Sequence, residues 1–189
     1  MAHANNSIVT GRFSGSLGKE LVFREWQGKT IVAKSPKSRR GDPTAAQAET
    51  QERFLLGSRY AKAITQGQDQ GMKEAYASAL RPRQNVYSRA LEDFMSQPVV
   101  KRIDMRNYKG AVGDRIIVRA LDDFRVVGVR VEIYAANGAL LEEGNAEPPT
   151  NGIDWNYTAT QTNNLPAGSK IKAIATDIPG NEGILEGIL

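Results

Sequence analysis

Residues 125–135 read RVVGVRVEIYA, and the fold is decided there. Val127, Val129, Val131, Ile133 and Ala135 fall on one side of an extended chain. Arg130, Glu132 and Tyr134 fall on the other, with Val126 and Gly128. This is the period of a strand, one face for a core and one mostly for water. Asn137-Gly138 follows at once, a dipeptide suited to the positive φ angles of a tight hairpin turn.

Strand patterns continue on both sides. Residues 99–107 make the first candidate, and 115–121, after Gly113-Asp114, bury Ile116, Val118 and Ala120. Downstream lies a short strand through Leu140 and Leu141. Then come 153–159, where Ile153, Trp155, Tyr157 and Ala159 alternate with polar residues, and 170–176, where Ile171, Ala173 and Ala175 alternate with Lys170 and Lys172. A last short strand falls near Ile184. Six or seven short strands punctuated by turn signals predict a two-sheet sandwich over 99–189. Trp155 and Tyr157 are expected to fill its core rather than bind a sugar.

The front of the chain differs. Residues 44–98 carry helical periodicity, opening at Thr44 with Gln47 at the spacing of a capping box. Ala48, Phe54, Leu55, Ala61 and Ile64 form one apolar stripe, Met72 to Leu80 a second, and Val86 to Phe94 a third. Residues 1–43 form an arm. It holds a short strand near 7–13, then a hairpin of 21–26 and 29–35 joined at Gln27-Gly28, then KSPKSRRGDP, a basic linker. The expected class is therefore α+β: a β-hairpin arm and short helical segment followed by an immunoglobulin-like antiparallel β-sandwich.

The composition excludes several chemistries. The 189 residues contain no cysteine, so neither disulfides nor thiolate metal sites can form. The single histidine, His3, sits in a polar N-terminal tail, which argues against Ser-His or Cys-His catalysis. In the strand region Asp122-Asp123 and Glu142-Glu143 are adjacent acid pairs, but neighbours on a strand point to opposite faces. Asp122 or Asp123 with Asp177 and Asn181 offers oxygen ligands for calcium at one end of the sandwich. Turn formation explains the same residues without a metal and is preferred. GRFSGSLGKE lacks the spacing of a phosphate loop. No active site, cofactor or small-molecule substrate is expected. The N-terminus has no basic patch followed by an apolar run and no segment suits a membrane span, so synthesis is expected in the cytoplasm, without assigning a final location.

Charge is uneven. Residues 1–100 hold 15 Lys and Arg against 9 Asp and Glu, and residues 101–189 hold 10 against 12. The linker residues Lys34, Lys37, Arg39 and Arg40 could contact phosphates of a polyanion, although no aromatic residue is interleaved with them.

Two resemblances bear on these patterns. VRVEIYAANGALLEEGNA, IDWNYTAT and GSKIKAIATDIPGNEG resemble a bacterial immunoglobulin-like domain, without the inter-sheet cysteine pair of antibody domains. GRFSGSLGKELVF, the W-x-G at Trp26 to Gly28, KSPK and DPTAAQ resemble an uncharacterised bacterial family that opens with a glycine-punctuated hairpin and a short helical segment. The second resemblance implies no catalytic residues.

Two function classes fit. One is a structural protein that assembles with copies of itself, into a polymer, filament or larger particle. An isolated hairpin is marginal in water, so residues 21–35 must find a partner. Strand addition would use Val22, Phe23, Trp26 and Ile31 as anchors. Packing of the hairpin on its own chain is the competing reading. The other class is a nucleic-acid-binding, mobile-element-associated module that uses the basic front half.

Overall fold

The computed structural model describes residues 2–4, 14–18, 20–26, 29–35 and 41–189. These residues form an α+β protein of three helices and eleven strands in three antiparallel sheets. The chain divides into two compact units, Met1–Thr44 and Ala45–Leu189.

The first unit is a four-stranded sheet in the order β1-β4-β3-β2. Its centre is the expected hairpin, β3 (Leu21–Trp26) and β4 (Lys29–Lys34). Two three-residue strands flank it, β1 (Ala2–Ala4) and β2 (Gly15–Leu17), both too short to register as periodic patterns. The strand expected at 7–13 and the Gln27-Gly28 turn lie outside the described residues.

The second unit opens with α1 (Ala45–Gln66), α2 (Gln70–Ser78) and α3 (Val86–Met95). Asp69 caps α2 by accepting the Met72 N–H at 2.9 Å. Asn85 and Ser88 form a reciprocal capping box on α3, with bonds of 2.8 and 3.0 Å. Small residues set the packing of α1. An added Cβ on Gly57 would lie 2.9 Å from both Leu91 Cδ1 and Phe94 Cδ1, and Ala61 is fully buried in the helical core with Tyr76 and Ala90. Phe54 and Leu55, expected in the buried stripe, are instead half exposed, as is Leu56. Gly57 and Ala61 set the packing face of α1, and at about 100° per residue Leu55 and Leu56 point away from it.

Seven strands follow: β5 (Val99–Asp104), β6 (Arg115–Leu121), β7 (Val126–Tyr134), β8 (Leu140–Asn145), β9 (Asp154–Thr158), β10 (Lys170–Asp177) and β11 (Glu182–Ile188). They form two sheets, β5-β6-β9 and β11-β10-β7-β8. The sheets share one core. Val100, Ile116, Val118, Trp155 and Tyr157 come from the first, and Val129, Val131, Ile133, Ile171 and Ala173 from the second. Gly138 takes φ +84° in the turn between β7 and β8, where its N–H donates to the Ala135 carbonyl at 2.8 Å.

One residue of the deciding strand departs from the alternation. Val127 is 50% exposed, because a bulge opposite Thr176 and Asp177 drops it from the ladder, and Val126 packs against the core in its place. Glu132 keeps to the outward face yet is buried, held by Arg130 at 3.1 Å, Lys172 at 3.3 Å and the Tyr134 hydroxyl at 2.8 Å.

The two sheets meet along one side where β11 passes the start of β5. A Cβ built on Gly183 would lie 1.8 Å from the Pro98 carbonyl oxygen, so only glycine permits this approach. Gly183→Ala is expected to destabilise the second unit by about 1–3 kcal/mol. Urea unfolding should show a lower midpoint with an unchanged slope.

Candidate assembly interface

The predicted anchors all lie on the two central strands of the first unit, but they do not share a face. Val22 pairs with Ala33, Phe23 with Val32, and Arg24 with Ile31. Leu17 of β2 pairs with Leu21, and Gly15 with Phe23. Directly paired residues of an antiparallel sheet project to the same side. Phe23 therefore lies with Leu17, Leu21 and Val32, whereas Val22 and Ile31 lie on the opposite face with Ala33. Trp26 pairs with Lys29 at the end of the hairpin.

No apolar side chain whose burial is described in this unit is buried. Leu17 is 64% exposed and Leu21 is exposed, while Val22, Phe23, Ile31, Val32 and Ala33 are half-buried. A sheet normally buries one face against a second layer. This one carries apolar groups on both faces, and among its described residues only Thr30 is buried. Its flanking strands are half the length of β3 and β4. Among the described residues, β2 reaches only Leu21 to Phe23 and β1 only Thr30 to Val32. Of the predicted polyanion contacts, Lys34 is exposed at the end of β4, and Lys37, Arg39 and Arg40 lie outside the described residues.

The residues weighed as calcium ligands are engaged by protein donors. Asp122 Oδ2 accepts the backbone N–H groups of Phe124 and Arg125 at 2.9 and 2.8 Å. Asp177 accepts from the Asn181 backbone at 2.6 Å and from its amide at 2.7 Å. That amide also donates to the Ser96 carbonyl at 2.8 Å and the Phe94 carbonyl at 3.2 Å, fastening the end of α3 to the turn between β10 and β11. Asp123 receives the guanidinium groups of Arg81 and Arg89. Among the described residues no group of three His, Cys, Asp or Glu is arranged to hold a metal. Glu142 and Glu143 do point apart: Glu142 faces inward and accepts the Thr160 N–H and hydroxyl, each at 2.7 Å, while Glu143 is exposed.

Sequence reasoning missed the heart of this joint, Arg89 and Asp93 on α3. The Arg89 side chain is 3% exposed. It donates to the Asp123 carbonyl at 2.7 Å and lies 5.4 Å from the centre of the Phe124 ring. Asp93 is fully buried and accepts the Tyr76 hydroxyl at 2.6 Å, which in turn sits 2.8 Å from the Tyr60 hydroxyl. Its other oxygen has no hydrogen-bond partner among the described residues. Burial, followed by the negative charges of Asp122 and Asp177, pushes the Asp93 carboxyl up to about 6, against the lowering pull of Tyr76 and Arg89. The available signal was positional: Arg89 and Asp93 recur at helical spacing beside Val86 and Ala90, on the side that packs.

A carboxyl raised on folding binds its proton more tightly in the folded state. It therefore contributes stability that is full below its ordinary value near 3.8 and lost as pH rises through about 6. Acidification from neutral pH to 5 is expected to raise stability by roughly 1–2 kcal/mol from this group, at 1.36 kcal/mol per pKa unit. Asp93→Asn keeps an acceptor for Tyr76 without the charge, and should flatten that part of a stability–pH profile measured by urea unfolding.

No protein-family model matches the chain, and no curated protein matches it. Among solved structures, the crystal structure of an engineered protein is similar at 23% identity with a TM-score of 0.33, over 49% of this chain and 20% of that one. No helix among the described residues is long and apolar enough to cross a membrane.

Proposed function

We propose that this chain is a non-enzymatic structural protein that self-assembles into a polymer, filament or larger particle. The contact between subunits is the N-terminal sheet, joined by strand addition. One observation carries the reading: a four-stranded sheet with apolar groups on both faces and no buried apolar side chain among its described residues. Folding must offset the ordering of some forty residues, and burial of apolar surface is the main term that does so. With no cysteine in the chain, a second copy is the covering layer that most simply supplies it. Among the described residues the short flanking strands leave backbone donors and acceptors of β3 and β4 for another chain. Leu17, Leu21 and Phe23 anchor one face of the contact, and Val22 and Ile31 the other.

In this reading residues 99–189 are an immunoglobulin-like sandwich that spaces the contacts. What supports it is strand order. The sheets β5-β6-β9 and β8-β7-β10-β11 match an arrangement in which the first, second and fifth strands oppose the rest. The absence of a disulfide between the sheets is compatible with it.

Light scattering over a concentration series tests the proposal. The full chain is expected to grow in size with concentration, and a chain beginning at Asp42 to remain folded and monomeric. Phe23→Ala should raise the concentration of half-assembly by about tenfold or more, the scale of an interface anchor. A full chain that stays monomeric at high concentration overturns the reading.

A further inference from the structure

The hairpin of β5 and β6, with the loop between them, concentrates positive charge. Residues 99–119 hold six cations, Lys101, Arg102, Arg106, Lys109, Arg115 and Arg119, against the two acids Asp104 and Asp114. Residues 120–189 hold 4 Lys and Arg against 10 Asp and Glu, so the near-neutral total of the back half hides this asymmetry.

The fold turns these cations outward. Ile116, Val118 and Ala120 face the core, so Arg115 and Arg119 project from the opposite side of β6. Arg102 stands directly opposite Arg119. Like charges in that relation destabilise a sheet unless an anion relieves them. Asp154 partly does so, binding Arg119 at 2.7 and 2.8 Å, and Asp104 binds Arg106 at 2.6 Å. Lys101, Arg102, Lys109 and Arg115 are exposed and form no ion pair among the described residues. Arg102, Arg106 and Lys109 line one open groove of about 470 Å³.

The outward face of the other sheet is neutralised from within. Glu132 pairs with Arg130 and Lys172, Glu143 with Arg130, and Glu186 with Lys170. It therefore offers few free carboxylates to the cations of a second copy. We propose that the outward face of β5-β6-β9, with the β5–β6 loop, binds the phosphate backbone of double-stranded DNA. Duplex DNA presents a charge about every 1.7 Å, so a six-residue strand of roughly 20 Å runs beside many phosphates. The face carries no aromatic side chain: Val99, Asp104, Ile117, Leu121, Asp154, Asn156 and Thr158 fill its remaining positions, while Trp155 and Tyr157 point inward. Without a stacking platform for unpaired bases, it suits a duplex backbone contacted without sequence preference.

Fluorescence anisotropy of a labelled mixed-sequence duplex, titrated with the full chain at several salt concentrations, tests this. Four unpaired cations give an expected slope of log affinity against log salt of about −3 to −4, and about a hundredfold loss between about 50 and 200 mM salt. Arg102→Glu with Arg115→Glu should weaken binding at least about tenfold and reduce the slope by about 2, with an unchanged urea midpoint as the control for folding. Substituting Lys34, Lys37, Arg39 and Arg40 should leave that slope in place. No binding at low salt, or binding indifferent to the double variant, overturns the proposal. So does loss only on changing the residues at 34–40, or tighter binding to a single strand. Loss of self-association in the double variant without loss of DNA binding also overturns it, and assigns the face to a second copy.

Discussion

A guanidinium removed from water on α3 is the constraint around which the second unit is arranged. The Arg89 side chain is 3% exposed, and a charge so placed is tolerated only when anions and acceptors compensate most of what water supplied. Asp123 supplies both its carboxylate and its carbonyl, Glu92 a carboxylate oxygen at 3.2 Å, and Phe124 the face of its ring. Asp123 and Phe124 belong to the turn between β6 and β7, so satisfying one helical side chain fixes where the helices meet the sheets. Phe124 then stacks on Tyr76 at 4.4 Å between centroids, and Tyr76 holds Asp93. Packing and polar satisfaction here are one problem rather than two. The cost of the solution is visible in Arg89 Nε and in one oxygen each of Asp93 and Asp122, which have no hydrogen-bond partner among the described residues.

Much of this architecture was legible from periodicity. Most strands from β5 to β11 alternate because one face is buried, although Glu132 and Ile174 are buried on the other, and the helices announce themselves through apolar spacing and caps such as Asn85 with Ser88. Local pattern fails where a contact depends on residues far away in sequence. Val127 belongs to the core by alternation, yet a bulge set by the register with β10 turns it out. Phe54 and Leu55 belong to a buried stripe by spacing, yet the packing face is set by Gly57 and Ala61, whose fit against α3 no apolar spacing reveals. Arg89 and Asp93 share a face with Val86 and Ala90, but their partners, on the β6–β7 turn and on α2, are invisible to local pattern.

The first unit was legible in its centre and not in its periphery. β3 and β4 carry enough alternation to be seen, whereas β1 and β2 offer three residues apiece. The division of Val22 and Ile31 from Phe23 follows from the cross-strand register, which no single strand reveals. Charge behaved similarly. Summed over half the chain it is nearly balanced, and only the pairing of β5 with β6 brings Arg102 opposite Arg119. The opposing sheet distributes its charges as alternating partners instead, so two faces of similar polarity differ in how much field they project.

The close passage of Gly183 by Pro98 also bears on the order in which the chain can acquire its structure. Pro98 introduces the first strand of the two-sheet body, and Gly183 lies in the last, separated by most of the unit's sequence. The central position of β10 in the larger sheet compounds this, since β7 and β11 pair on either side of it. Synthesis proceeds from the N-terminus, and contacts between distant segments are slow to form because their loops must close first. The helices and the β5–β6 hairpin can therefore organise early, while the apolar faces of β6 and β7 stay without their full cover until β10 has left the ribosome. Such a nascent chain exposes valine- and isoleucine-rich strands late into translation, the kind of surface that holding chaperones recognise.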